Sequence, residues 1–341
     1  MARQIKTLGQ IDEIKKYELL TRLDSMPKHI KLCHGNFEPK NVIINDEGTY
    51  VINWGSARQG NASADVARTY LLFCLNNPDL AEAYLDKYCV KSGTSKQYVQ
   101  AWLPIVAQCS SEVTARYKAS VVSGYDGPCH SLADLTGGFG IDFSFLAPHF
   151  GQATYVERQE VLCQAAHHNF PLLGLSAARV IHTDGVDYLR QMPAVDWLYL
   201  DPARRDGHGG KTVAIADCEP DVTALETLLL EKAVHVLVKL SPMLDLTQAL
   251  HTLKHVVAAH VVSVAGECKE LLLVLARGEV PQADDVPIRC VNLSTTDDAF
   301  TFTRYKEQEA SCRYADAPRA YLYEPNASLL KAGAFRSLSY I

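Results

Sequence analysis

The sequence lacks several features that mark common classes of protein. Its 10 cysteines include no CxxC pair, so neither a zinc knuckle nor a thioredoxin-type redox motif is expected. No apolar run is long enough to span a bilayer, and the N-terminal segment has no apolar stretch typical of a secretion signal. Because unpaired cysteines scattered through a long chain are typical of a reducing compartment, we expect a cytoplasmic protein that does not enter a membrane.

An excess of positive charge is also missing. The chain of 341 residues has 33 basic and 39 acidic side chains, which gives a formal net charge of -6. This balance argues against a protein that coats nucleic acid through bulk charge, although it is compatible with a local basic patch. With 48% hydrophobic residues and no internal repeat, the chain has the length and composition of two domains or one large one.

Alternating strand and helix patterns dominate the chain between residues 131 and 276. Repeated units of this kind bury a mostly parallel sheet between two layers of helices. Only the segment 266–270 separates the last two predicted strands, and it is too short for a parallel crossover, so one of them is antiparallel. The pattern favours the α/β fold of methyltransferases, a seven-stranded Rossmann-like sheet with one antiparallel strand, over the all-parallel nicotinamide-binding sheet. Strands are predicted at 131–135, 153–157, 179–183, 197–201, 234–240, 260–265 and 271–276, and a helix at 246–258.

The regions on either side of this alternation have their own patterns. In the N-terminal part, a hairpin is predicted around the turn at 46–48, and the last helix before the alternating region at 95–106. Beyond about residue 280, strands at 288–293 and 299–305 and a helix at 326–338 predict a small α+β appendage.

A glycine-rich loop follows the first strand of the alternating region. In the segment DLTGGFG, residues 134–140, glycine lets the backbone approach a ligand closely. Glu157 ends the next strand, where an acid can accept hydrogen bonds from two ribose hydroxyls. The loop and the acid together favour a nucleoside cofactor over a purely structural turn. The predicted cofactor-binding residues are Asp134, Thr136, Gly137, Gly138, Phe139, Gly140, Glu157, Arg158, Asp184 and Gly185.

The loop is compatible with two cofactors, a dinucleotide or S-adenosylmethionine. The pattern GxGxxG is absent, because Phe143 stands in the place of the third glycine. Asp134 suits a cationic amino-acid headgroup better than a pyrophosphate, which it would repel. Asp184 follows the third strand, where it can accept a hydrogen bond from an adenine amino group or cap the next helix, and the sequence favours neither role.

The segment DPARRD at 201–206 ends the fourth strand and predicts the catalytic residues. Ligands of open α/β sheets lie beyond the carboxyl ends of the strands, so Asp201 is expected to face the site. A carboxylate followed by a fixed proline can hold a nucleophile or a target amine. The two arginines can bind a phosphate or carboxylate of the substrate, or pair with Asp206 or Asp217 at the surface. The predicted catalytic residues are Asp201, Pro202 and Arg204, with Gly207–Lys211 as a flap and Lys239 either lining the pocket or ending its strand.

Long segments of the chain from about 108 to 338 resemble a class I S-adenosylmethionine-dependent methyltransferase with a THUMP-like C-terminal domain. The resemblance is carried by QCSSEVTARYK, DLTGGFG, YVERQE, HNFPLLGL, YLDPARRD, GGKTVAI, DCEPDV, LVKLSPMLD and ECKELLLVL. It implies S-adenosylmethionine as the cofactor and RNA as the acceptor, because THUMP domains bind RNA. Ala203 and Arg204 depart from the pattern of amine methyltransferases, which carry an aromatic residue after D-P-P. The C-terminal module is also shorter than the pattern.

The stretch from about 18 to 106 resembles the C-terminal lobe of aminoglycoside/choline phosphotransferases. The carrying segments are LCHGNFEPKNV at 32–42, VINW at 51–54 and ADVAR at 64–68. In that family, an aspartate base follows His-Gly and a metal-binding aspartate precedes the tryptophan, whereas this chain has Asn36 and Asn53. An amide cannot take the hydroxyl proton and is a poorer ligand for a hard cation, so phosphotransfer is not expected. Of the family's metal site only Asn41 matches, and His34 is expected to fix its loop.

These observations predict three domains: a phosphotransferase-like fragment at 1–106, a methyltransferase domain at 107–279, and a shortened THUMP-like module at 280–341. The first functional hypothesis is methyl transfer, to RNA or to a small-molecule acceptor. The alternatives are a phosphotransferase acting on a small hydroxylated or amino substrate, and a binding protein without catalysis. No metal site is predicted, because the histidines have no carboxylate or cysteine partners at metal-ligand spacing. The abrupt join near 105 is compatible with a fusion of two partial proteins.

Overall fold

A computed structural model describes residues 23, 31–35, 37, 41–46, 48–52, 54, 57–76, 78–125, 127, 129–204, 214–264, 266–293, 299–312, 317 and 324–340. The chain divides into two compact units, Met1–Ala115 and Arg116–Ile341. Within the described ranges, every helix is too short or too polar to cross a bilayer.

The first unit combines short strands with a group of helices. The strands are β1 (Lys31–Cys33), β2 (Val42–Asn45), β3 (Gly48–Val51) and β4 (Arg58–Gly60). Strand β1 pairs antiparallel with β4, and β2 with β3, which confirms the predicted hairpin. The helices α1 (Ala62–Asn76), α2 (Pro78–Ser92) and α3 (Lys96–Gln100) bury an apolar cluster that includes Val66, Leu85 and Val99.

The single helix predicted at 95–106 is wrong, because the structure has two helices there. Ser95 caps α3, and its hydroxyl accepts a hydrogen bond from the Tyr98 amide. Helix α4 (Leu103–Ser123) then begins with Pro104 in its first turn, where a missing N–H costs no hydrogen bond. It continues to Ser123, and the division between the two units falls within it. The domain boundary at residue 106 stays a prediction.

The second unit alternates strands and helices, as predicted. Its elements are β5 (Ser131–Asp134), α5 (Ile141–Leu146), β6 (Gln152–Glu157), α6 (Glu160–Leu172), β7 (Arg179–His182), α7 (Gly185–Gln191), β8 (Val195–Leu200), β9 (Ala203–Arg204), β10 (Cys218–Glu219), α8 (Val222–Lys232), β11 (Ala233–Leu240), α9 (Leu246–Thr252), β12 (Val256–Val264), β13 (Glu267–Ala276), β14 (Ile288–Asn292), β15 (Phe300–Phe302), α10 (Arg304–Glu309) and α11 (Ala327–Ala332).

The main sheet confirms the Rossmann-like methyltransferase fold, with nine strands instead of seven. Their order is β15-β14-β12-β13-β11-β8-β5-β6-β7, and β13 runs antiparallel to both of its neighbours. The two additional strands come from the C-terminal appendage. Strand β14 pairs parallel with β12, and its inward residues Ile288 and Cys290 extend the apolar core. The appendage therefore continues the sheet, because its apolar residues are buried only when β12 lies beside them.

Three predicted elements at the end of the chain have different bounds. The helix predicted at 246–258 ends at Thr252, because the following valines pair with β13 as part of β12. The strand predicted at 299–305 ends at Phe302, since Thr303 caps α10 by accepting a hydrogen bond from the Lys306 amide. The helix predicted at 326–338 ends at Ala332, where Gly333 takes the left-handed backbone conformation of a helix C-cap.

The sheet topology brings three strand ends together. Strands β8, β5 and β6 are adjacent and parallel. Their carboxyl ends carry, in the order of the sheet, Asp201, Asp134 and Glu157. Buried apolar residues of the same strands, such as Leu198 and Val156, anchor these ends in the core. The three acids predicted from the sequence therefore meet at one edge of the sheet.

Candidate functional site

The glycine loop between β5 and α5 is tightly packed against β6. A Cβ atom added to Gly137 would lie 2.5 Å from two ring atoms of Tyr155, which no side chain tolerates. Gly138 and Gly140 have φ angles of 56° and 71°, in the left-handed region that favours glycine. The Tyr155 hydroxyl donates a hydrogen bond to the Gly138 carbonyl oxygen. Glycine is thus required here by packing and by backbone conformation, and Phe139 is left partly exposed at the tip of the loop.

Glu157 holds the same loop from the end of β6. Its Oε2 accepts a hydrogen bond from the Gly138 amide at 2.8 Å, and its Oε1 accepts one from the Gln159 amide at 2.8 Å. The side chain is buried, with 7% of its surface exposed. An ionised carboxylate has about four acceptor positions, so these two bonds leave room for further donors. Arg158, the next residue, points to the surface and pairs with Glu219 at 3.2 Å.

Thr136 connects Asp134 with Asp201. The Thr136 amide and hydroxyl both donate to Oδ1 of Asp134, at 2.9 and 3.3 Å. The Thr136 hydroxyl oxygen also accepts a hydrogen bond from the Asp201 amide at 2.7 Å. Burial raises the pKa of Asp134 to about 8. In the absence of a neighbouring cation, Asp134 is therefore mostly protonated at neutral pH.

Asp201 is the most accessible of the three strand-end acids. Its carboxylate is 41% exposed and lies 2.5 Å from the ammonium of Lys239, which extends from β11. Pro202 is buried, and the backbone of Ala203 and Arg204 forms β9, which pairs with β10. The predicted flap Gly207–Lys211 and Arg205 lie outside the described residues. The Lys239 side chain thus lies beside Asp201, next to the end of β11, and its role in lining a pocket stays a prediction.

Behind Asp201 lies a buried charge network, which we define as Lys118, Asp142, Tyr199, Lys239 and Glu270. The Lys118 ammonium is fully buried and lies 2.7 Å from both carboxylate oxygens of Glu270 and 3.2 Å from Asp142. Asp142 also accepts a hydrogen bond from the Tyr199 hydroxyl at 2.6 Å and lies 3.4 Å from Lys239. The network therefore connects the core of the unit to the exposed carboxylate of Asp201.

Neighbouring charges favour the ionised forms of Asp142 and Lys239. Burial opposes ionisation of Asp142, yet Lys118 and Lys239 lower its pKa to about 2. Burial likewise disfavours the charged form of Lys239, but Asp201 and Asp142 raise its pKa well above the ordinary value. Lys239 therefore carries its charge throughout the physiological range and cannot accept a proton there.

Asp184 caps helix α7. Its Oδ1 accepts hydrogen bonds from the amides of Val186 and Asp187, at 2.8 and 3.2 Å, so the capping role is confirmed and the adenine role stays a prediction. A Cβ atom on Gly185 would lie 2.1 Å from the Leu135 carbonyl oxygen. The start of α7 is thus pressed against the end of β5, next to the glycine loop.

Sequence reasoning missed four members of the network, Lys118, Asp142, Tyr199 and Glu270. Lys118 and Glu270 lie within segments that carry the family resemblance, but they are 152 residues apart in the chain. The available signal was a charged residue adjoining a long apolar run. Glu270 is such a residue, since it directly precedes the buried run of β13 that begins at Leu271.

In the first unit, the loop after β1 is held by helix α1. The Gly35 amide donates to both oxygens of Asp65, at 3.1 and 3.0 Å. The His34 ring bonds to the Ile52 carbonyl oxygen at 2.8 Å, which is the loop-fixing role predicted for it. Asn41 is buried. The two amides that replace the family's acids, Asn36 and Asn53, lie outside the described residues.

Comparison with sequence families gives two partial matches. Residues 3–102 match the phosphotransferase enzyme family, and residues 321–340 match a ferredoxin-like domain. Each match covers less than half of the chain. The second falls in the region where a THUMP-like module is expected, and that module stays a prediction. None of the curated proteins compared with the chain matches it.

Comparison with solved structures gives a much longer match. A proposed methyltransferase from Porphyromonas gingivalis W83 is 35% identical, with a TM-score of 0.62, and the match covers 82% of this chain and 74% of that one. An S-adenosylmethionine-dependent methyltransferase from Agrobacterium tumefaciens is 19% identical over 50% of this chain and 63% of that one, with a TM-score of 0.37. A proposed RNA methyltransferase from Pyrococcus horikoshii is 10% identical over 50% of this chain and 85% of that one, also with a TM-score of 0.37. Scores that low do not assign a function.

Proposed function

We propose that this chain, which belongs to the same family as the proposed methyltransferase from Porphyromonas gingivalis, transfers a methyl group from S-adenosylmethionine to an acceptor held by Asp201. The observation that carries the proposal is the meeting of Asp134, Glu157 and Asp201 at the carboxyl ends of three adjacent strands, beside a glycine loop. Ligands of open α/β sheets bind at this edge.

The residues at the edge fit the cofactor. Glu157 has acceptor capacity left for two ribose hydroxyls, because each of its oxygens accepts only one backbone amide. The loop of Gly137, Gly138, Phe139 and Gly140 faces the methionine end, with Asp134 and Thr136 below it. Both capping bonds of Asp184 go to Oδ1, which leaves Oδ2 for the adenine amino group. Arg158 and Gly185 flank the nucleoside.

S-adenosylmethionine, when bound, supplies a methyl group activated by a sulfonium. The protein has to align the acceptor in line with that methyl and keep water away. The Asp201 carboxylate and the Pro202 carbonyl oxygen accept hydrogen bonds from an acceptor amine, and Asp201 takes up the proton released after transfer. Arg204 contacts a phosphate or carboxylate of the acceptor. Lys239 keeps Asp201 in place through their contact of 2.5 Å.

RNA is the acceptor that we propose. The support is the resemblance to methyltransferases with a THUMP-like domain, whose expected place is the C-terminal part of the chain. The test is transfer of a labelled methyl group from S-adenosylmethionine to total cellular RNA, compared with pools of small cellular metabolites. Label that enters only the small molecules would contradict RNA as the acceptor and retain methyl transfer.

Donor binding is tested by calorimetry with S-adenosylmethionine. Replacing Glu157 with Gln removes the negative charge that favours the ribose hydroxyls, and we expect about a tenfold loss of affinity, or ~1.4 kcal/mol. Glu160→Gln is the matched control, because Glu160 is exposed at the start of α6. We expect the control to bind like the parent. No heat with the parent protein would refute the proposed function.

Phosphotransfer is the second candidate, favoured by the family match over residues 3–102. The amides Asn36 and Asn53 argue against it, since neither can serve as the base or as a strong ligand for Mg²⁺. Calorimetry with Mg-ATP separates the two candidates. Binding of S-adenosylmethionine without any transfer would instead indicate a binding protein that lacks catalysis.

A further inference from the structure

Two carboxylates compete for the Lys239 ammonium. Asp201 lies 2.5 Å from it and Asp142 lies 3.4 Å from it, so the shorter contact goes to the exposed acid of the pair. A buried carboxylate attracts a nearby cation more strongly than an exposed one, because water screens the exposed one. Asp142 is 13% exposed and Asp201 is 41% exposed, so burial alone would favour the opposite arrangement.

The position of Lys118 explains why Lys239 lies closer to Asp201 than to Asp142. Its ammonium lies 3.2 Å from Oδ1 of Asp142, whereas Lys239 faces Oδ2 of the same carboxylate. Lys118 thus satisfies the charge of Asp142 from the core side. Both carboxylate oxygens of Glu270 lie 2.7 Å from the Lys118 ammonium and hold it beside Asp142.

We propose that Lys118 and Glu270 are positioning residues. Glu270 holds the Lys118 ammonium beside Asp142, and this ammonium offsets the charge of Asp142 and thereby directs Lys239 to Asp201 in the acceptor site. The catalytic consequence rests on the proposed function, whereas the placement of Lys239 does not. Lys118 and Glu270 are buried beneath the acceptor site and act only through Asp142 and Lys239. A buried ion pair adds little net stability compared with apolar residues of similar size, so we expect the variant without the pair to fold.

The test is the paired replacement Lys118→Met/Glu270→Leu in the full chain. It leaves Lys239 as the only network ammonium facing Asp142, so we expect Lys239 to move from Asp201 to Asp142. The Lys239 ammonium signal in nuclear magnetic resonance spectra, assigned by its loss in Lys239→Met, should change its shift and its rate of proton exchange. An unchanged signal in the folded pair variant would overturn the proposal.

A matched control lies on the same strand. The pair Lys269–Glu267 on β13 has a contact of 2.5 Å but is partly exposed and outside the network. We expect Lys269→Met/Glu267→Leu to leave the Lys239 signal unchanged, and an equal change in both variants would refute a specific role. Should the apolar pair fail to fold, Lys118→Gln/Glu270→Gln removes the same charges and keeps hydrogen-bonding groups.

Rescue distinguishes positioning from general damage. Adding Asp142→Asn to the pair variant removes the competing carboxylate, so Lys239 should return to Asp201 and recover the parental signal. Methyl transfer to total cellular RNA should fall at least tenfold in the pair variant, with donor affinity changed less than twofold, and should recover with Asp142→Asn. A failed rescue of the signal contradicts the proposal. A parent protein that binds no donor refutes the proposed function and leaves the test of Lys239 intact.

Discussion

In each of the two units, a carboxylate accepts a hydrogen bond from a glycine amide and holds a loop, but the residues near the two loops differ. In the first unit, Asp65 accepts the Gly35 amide and holds the loop after β1. In the second, Glu157 accepts the Gly138 amide and holds the loop after β5. The amide Asn36 follows Gly35 in the first loop and the amide Asn53 follows β3, whereas acids at strand ends lie beside the second loop.

This difference teaches that a well-fixed loop does not by itself make an active site. Both loops are held by a carboxylate that accepts a glycine amide. Among the described residues, acids at three adjacent strand ends lie beside the second loop. Four experiments test whether the two loops differ in this way.

The largest effect is expected for Asp134, whose burial raises its pKa to about 8. In the unfolded chain this acid ionises near pH 4. Between these values the folded state holds a proton that the unfolded state has lost, so Asp134 makes the protein less stable as pH rises. As pH rises, we expect the free energy of unfolding of Asp134→Asn to increase relative to that of the parent. The increase should be up to ~1.4 kcal/mol per pH unit, or roughly 4 kcal/mol between pH 5 and 8.

Urea unfolding of parent and variant at several pH values measures this difference. Asp79→Asn is the control from the first unit, because Asp79 is exposed at the start of α2. The difference in free energy of unfolding between Asp79→Asn and the parent should be the same at each pH. A constant offset for Asp134→Asn as well would mean that Asp134 is ionised in the folded protein at neutral pH.

Gly185→Ala should give the next largest effect. A Cβ atom there meets the Leu135 carbonyl oxygen at 2.1 Å, and backbone cannot move aside as a flexible side chain can. We expect a loss of about 3 kcal/mol and a melting temperature lower by roughly 10 °C. The comparison is Gly60→Ala in the first unit, where the new Cβ lies 3.6 Å from Cys33 Sγ, an ordinary contact. Similar melting temperatures for the two variants would contradict this prediction.

Asp201→Asn tests the acceptor site. An amide keeps the size of the side chain but cannot take up a proton, so we expect methyl transfer to fall about 100-fold, or ~2.7 kcal/mol. Donor affinity should change less than twofold, which calorimetry with S-adenosylmethionine measures. Transfer at the parental rate would remove Asp201 from the reaction and leave alignment of the acceptor to other residues.

The smallest effect is expected in the first unit. Replacing Asn36 and Asn53 with aspartate restores the acids of the phosphotransferase pattern, yet the resemblance over about 18–106 is to the C-terminal lobe of that family and not to its nucleotide-binding lobe. We expect no heat of Mg-ATP binding from the parent and none from the double variant. Binding of Mg-ATP by the parent would contradict this contrast between the units, because the first unit would then have a nucleotide site of its own.

The features predicted correctly from the sequence are those set by local pattern. The glycine loop and Glu157 follow buried strands whose apolar runs are legible in the sequence, and the segment 266–270 is too short for a parallel crossover. Their positions at the edge of the sheet then follow from the topology alone. This is why the fold and the three strand-end acids could be predicted before any coordinates.

The features that escaped prediction depend on distant contacts. Lys118 and Glu270 meet only because α4 packs near β13, and no spacing along the chain links them. The early end of α9 depends on the pairing of β12 with both β13 and β14. The role of Asp184 could not be decided either, since a helix cap and an adenine contact require the same residue at the same place.

The pairing of β14 with β12 has a practical consequence for anyone who shortens this protein. Cutting the chain at residue 279, where the sequence suggests a boundary, would remove β14 and make β12 an edge strand. The buried Val261 and Ser263 would then lie beside unpaired backbone groups. Exposed strand edges of that kind recruit other chains. A shortened protein should therefore keep at least β14 and β15, or it will associate with itself before its chemistry can be measured.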